Sequence, residues 1–154
     1  MAAVQVAEAA AEAGKILDMY RKDYFLNETQ RMAQIIARLL GLKDKAESRE
    51  ELQHVYNHTL AIEFSITEKE LLELSLEDFK QWLINQNFSA VKLDALAQVL
   101  YLRAEPHEND VHASLLMQKI ITVYDMLEQE HHQQSFENIG KRAAIQNYLK
   151  QHGA

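Results

Sequence analysis

The chain has no cysteine. Disulfides, thiolate catalysis and cysteine-ligated zinc are therefore excluded. Only four glycines (Gly14, Gly41, Gly140, Gly153) and one proline, Pro106, occur in 154 residues. Sandwiches and barrels need many tight turns built on glycine and proline, so this scarcity argues against an all-β fold. No apolar run approaches the roughly 18 residues that mark a membrane-spanning helix. The first twenty residues, MAAVQVAEAAAEAGKILDMY, are interrupted by Glu8 and Glu12 and carry no basic leader. They do not read as a signal peptide, which makes the cytoplasm the expected compartment.

Basic clusters are also scarce. The formal net charge is −7, and the densest basic spots are Arg21-Lys22 and Lys141-Arg142. Phosphate backbones and anionic membrane surfaces repel such a chain, so neither nucleic acid nor membrane is an expected partner. There is no G-x-S-x-G, no phosphate-cradling glycine loop and no dinucleotide fingerprint. No cofactor and no catalytic residue are expected.

What is present favours helix. Apolar residues make up 47% of the chain and charged residues 25%, the balance of a globular domain. Ala, Leu, Glu, Gln and Lys dominate, and they lose little rotamer freedom in a helix. Ala2 to Met19 is a strong helix former with a thin apolar face of Val4, Ala7, Ala11 and Leu17. Residues 1–22 therefore read as a loosely docked Ala-rich helix, and 23–152 as one all-helical domain. Asp23 to Leu42 is the clearest helix, with Phe25, Met32, Ile36, Leu39 and Leu40 at helical spacing and Gly41 as its left-handed cap.

Ser48 with Glu51 has capping-box spacing and opens a helix to about Phe64 through Leu52, Val55, Tyr56, Leu60 and Ile62. Thr67, Ser75 and Ser89 are the next caps. Pro106 ends the helix that Ser89 opens. A cap at Asn109 or Asp110 starts a long helix to about Glu130, and Ser135 caps the last. The fold class is all-α, an antiparallel bundle of about six to eight helices.

Asp23-Tyr24-Phe25-Leu26 and the later Ile36-Ala37-Arg38-Leu39-Leu40-Gly41-Leu42-Lys43 resemble the opening helix of a family of small uncharacterised bacterial proteins. LLELSLEDFKQWLINQ, KLDALAQVLYLRAE and KIITVYDMLEQEHHQQSFENIGKRAAIQNYL are similar to that family's remaining blocks. The resemblance spans Asp23 to Leu149 and implies a fold and a lineage, not an activity. It also implies a tetratricopeptide-like hairpin in the C-terminal half. With Ala113 at the small-residue position of the second helix, Ala97, Leu100 and Tyr101 face it, and Met117 and Ile120 continue the packing face.

Three residues could carry metal chemistry. His54 and His58 lie four apart on one helix, with Glu51 one turn earlier on the same stripe, and imidazoles at that spacing can chelate zinc, nickel or copper. Glu128 and His131 repeat the Glu-x-x-His pair. With 16 glutamates and seven histidines, random order supplies about 0.7 such pairs, so two need no special cause. His107, Glu108, Asp110 and His112 around Pro106 suit a solvated loop. His131-His132 suits a solvated break. Ser48, Ser75, Ser89 and Ser135 are accounted for as caps. The expected function is a non-enzymatic protein–protein interaction or scaffolding module that binds another protein or itself. The alternative is a metal- or small-ligand-binding bundle using Glu51, His54 and His58.

Overall fold

The computed structural model describes residues 2–104 and 111–152, without the side chains of residues 2–6, 23–25, 46 and 136. Seven α-helices follow in order: α1 Ala2–Lys43, α2 Arg49–Phe64, α3 Glu68–Glu73, α4 Leu76–Gln86, α5 Ala90–Ala104, α6 Val111–Glu130 and α7 Phe136–Gln151. No strand occurs among the described residues. The chain is an all-α bundle. Pro106, the caps at Asn109 or Asp110 and the His107, Glu108 and Asp110 cluster lie outside the described residues. So do the side chains of Val4, Tyr24, Phe25 and Phe136.

The two N-terminal segments form one helix of 42 residues. No proline or polar turn interrupts Tyr20 to Asp23, so propensity carries the helix through. Gly41 is not a cap either. It lies within α1, which runs on to Lys43, and Lys43 Nζ donates to Leu102 O at 2.9 Å. Glu28, Met32, Leu39 and Leu42 are buried, with Ile35 and Ile36 packed alongside. That spacing of three and four puts them on one stripe. Leu40 is 48% exposed because it lies off this stripe, and Ile62 of α2 is 65% exposed for the same reason.

The capping serines divide by geometry. Thr67, Ser75, Ser89 and Ser135 side chains accept the amides of Glu70, Asp78, Lys92 and Asn138. Ser48 makes no side-chain cap, because a 3₁₀ turn, Ala46–Ser48, already leads the backbone into α2. α2 and α4 end on residues in the left-handed region, Ser65 and Asn87. Asparagine tolerates that conformation better than serine does.

α6 is the central helix. It packs most extensively on α5 and also touches α3, α4 and α7. Ala113, Leu116, Met117, Ile120, Val123, Tyr124, Met126 and Leu127 are all buried along it. α5, packed between α6 and α1, buries Leu93, Leu96, Ala97, Val99 and Leu100. α4 adds Phe79 and Leu83, and α7 adds Ile145 and Tyr148.

One buried polar link ties α1 to this core. Glu28 is 4% exposed and accepts a hydrogen bond from Ser89 Oγ, which in turn caps α5. A carboxylate beside a helix N-terminus is also favoured by the helix dipole. Ser89→Ala removes the cap and leaves the buried carboxylate without this donor. We expect a loss of about 2 kcal/mol in urea denaturation. Adding Glu28→Leu to Ser89→Ala should restore part of that loss, because both polar partners are then gone.

Lys119 is the second buried charge. Its residue is 2% exposed, and its ammonium lies 5.8 Å from the Phe79 ring centroid. Burial lowers its pKa below the ordinary lysine value. The unfolded chain therefore binds more protons in the window below 10.5, and stability contributed at this site rises with pH through that window. Lys119→Met should stabilise the fold at pH 7 by on the order of 1 kcal/mol. Parallel urea titrations should show the gap between variant and parent narrowing as the pH rises toward the ordinary lysine value, because the parent lysine sheds its proton more readily in the fold.

Candidate interaction surface

The proposed metal ligands sit on the solvent face of α2. Glu51, His54 and His58 are all exposed. The two imidazoles stack with centroids 6.5 Å apart at 21°. Glu51 faces Arg38 across 3.8 Å rather than the histidines. Glu128 is engaged by Arg142 at 3.0 Å. Among the described residues no three histidine or acidic side chains are grouped as a metal ion would require.

The rings of Tyr56 and Tyr124 lie in the core, and so do their hydroxyls. Both are buried and lack a hydrogen-bond partner among the described residues. Desolvation pushes both hydroxyl pKa values up, with Glu68 adding to the effect at Tyr56 and Arg103 opposing it. Tyr20, by contrast, is 69% exposed.

The largest unpartnered feature is the first half of α1. Every side chain from Ala7 to Lys22 is exposed. Four of them are large and apolar: Ile16, Leu17, Met19 and Tyr20. Ala10, Ala13, Leu17 and Tyr20 recur at intervals of three and four, the seam of a helix that pairs with another helix. Gly14 beside that seam has nothing within 4 Å of an added Cβ, so a second backbone can approach closely there.

Charge along this half is split. Glu8 and Glu12 stand at its start, and Lys15, Arg21 and Lys22 with Asp18 stand toward its end. The early portion is acidic and the later portion basic. The thin apolar face expected along this stretch shares Leu17 with that row, and its Ala7 and Ala11 are exposed as well.

No protein-family model matches this chain, and neither a curated protein nor a solved structure matches it.

Proposed function

We propose that this chain is a non-enzymatic interaction module that pairs with a second copy of itself through residues 7–22 of α1. The observation that carries this reading is a helical segment with no packing partner and a row of apolar side chains in solvent. Helices in proteins draw most of their stability from packing, and an Ala-rich stretch alone in water is marginal. Pairing with a second copy supplies the missing contact.

The charge split selects the partner and its direction. An antiparallel pair lays the acidic start of each copy (Glu8, Glu12) alongside the basic end (Arg21, Lys22) of the other. Arg21 flanks the seam and the other three lie on the outer face, so the preference acts through the field of the two ends and weakens with added salt. A parallel pair would set like charges together. A two-fold interface uses the same patch twice, as this arrangement does. α5 and α6 belong to the same reading as a tetratricopeptide-like hairpin, with Ala97, Leu100, Ala113, Met117 and Ile120 buried between neighbours. A scaffolding role in the cytoplasm of a bacterium completes the proposal.

Sedimentation equilibrium of the full chain tests it. A reversible dimer supports the reading. A monomer at every concentration up to the millimolar range rejects it.

A further inference from the structure

A cavity of about 550 Å³ opens where the end of α1, the start of α2 and the last turns of α5 converge. It lies at the opposite end of α1 from residues 7–22 and does not depend on how those residues pair. Pockets for small molecules fall in the range of roughly 300–1,000 Å³.

The floor is apolar, built from Leu42, Leu52 and Val99. The walls are cationic. Among the described residues, Lys43, Lys45, Arg49 and Arg103 line the cavity together with the acidic Asp44. Arg103 Nε lies 3.0 Å from Glu68. Lys45 and Arg49 are exposed and form no ion pair among the described residues. Tyr56 also lines the cavity. It is 3% exposed, and its hydroxyl has no hydrogen-bond partner among the described residues. This excess of cations beside apolar side chains runs against the net charge of −7. A concave site with apolar walls and cations of one sign concentrates anions.

The geometry points to a binding site for a free organic monocarboxylate with an apolar body of medium length. The carboxylate sits between Lys45 and Arg49, where the Arg49 guanidinium can grip it with two parallel hydrogen bonds. The hydrocarbon part covers Leu42, Leu52 and Val99 and removes them from water. Charge and apolar floor are both required, so neither a small hydrophilic anion nor a neutral chain of the same length should fit as well.

Octanoate is the probe, titrated into the full chain and followed by calorimetry and by amide and methyl chemical shifts. We expect saturable binding that perturbs Leu42, Leu52 and Val99 and weakens with added salt. Acetate and 1-octanol should each bind at least about tenfold more weakly, which is the worth of one charge-assisted hydrogen bond or of a few buried methylenes. The exposed pair Lys45→Ala with Arg49→Ala should lose at least about tenfold in octanoate affinity with an unchanged unfolding midpoint. The inference is overturned if octanoate does not saturate. It is also overturned if octanol binds equally well, if the shifts map elsewhere, or if the double variant binds as the parent does.

Discussion

Leu116→Ala should lower the stability of this protein by about 3–5 kcal/mol. Leu116 is fully buried on α6, the helix that α3, α4, α5 and α7 all touch. Truncation forfeits the transfer free energy of the side chain and leaves a cavity that several helices would have to move to fill. Small proteins are stable by only about 5–15 kcal/mol, so this one change removes a large share. Urea denaturation should show a lower midpoint at an unchanged slope. Leu40→Ala is the control. Leu40 is apolar and helical too, but it lies 48% exposed beside the α1 stripe. Its truncation should change stability by about 0.5 kcal/mol or less. Equal losses at the two positions would mean that the core is not organised as described.

Leu17→Asp combined with Tyr20→Asp should weaken self-association at least about thirtyfold, the effect of losing a buried apolar anchor pair at an interface centre. Both side chains are exposed in the single chain, at 57% and 69%, so folding of the bundle should not suffer. The unfolding midpoint at low protein concentration should match that of the parent. Hydrogen exchange adds a second reading. Amides of residues 7–22 should exchange more slowly as protein concentration rises, because only the paired helix is held by packing. Concentration-independent exchange there would tell against pairing.

Much of the bundle was legible in the sequence because its signals are local. Thr67, Ser75, Ser89 and Ser135 cap the helices they precede, and the rows through Leu93 to Leu100 and Leu116 to Leu127 become the core. The departures arise where a local signal competes with something nonlocal. Gly41 reads as a cap, yet Lys43 reaches the distant Leu102 carbonyl and the helix runs on past it. Leu40 and Ile62 read as core, yet neighbouring stripes already fill the interface. Lys119 carries no local signal of burial, yet α6 packs on several helices and its lysine is enclosed with it.

Sites were less legible than the fold. Glu51, His54 and His58 have a ligand's spacing, but spacing does not say whether a helix face meets solvent. The cationic cavity was invisible in the sequence for the opposite reason. Lys43, Lys45 and Arg49 are near one another along the chain, but Arg103 and Val99 come from α5 and join them only through folding. The α1 seam was partly visible, since its alanines, Leu17 and Tyr20 are consecutive turns of one helix.

A charge-exchange experiment bears most directly on the pairing of two copies through α1. One variant carries Glu8→Lys and Glu12→Lys, and the other carries Arg21→Glu and Lys22→Glu. Each alone should self-associate more weakly than the parent, and an equimolar mixture should form a heterodimer in which ends of opposite charge again lie alongside each other. Two variants that both dimerise as tightly as the parent, or a mixture that stays monomeric while the parent pairs, would contradict the account.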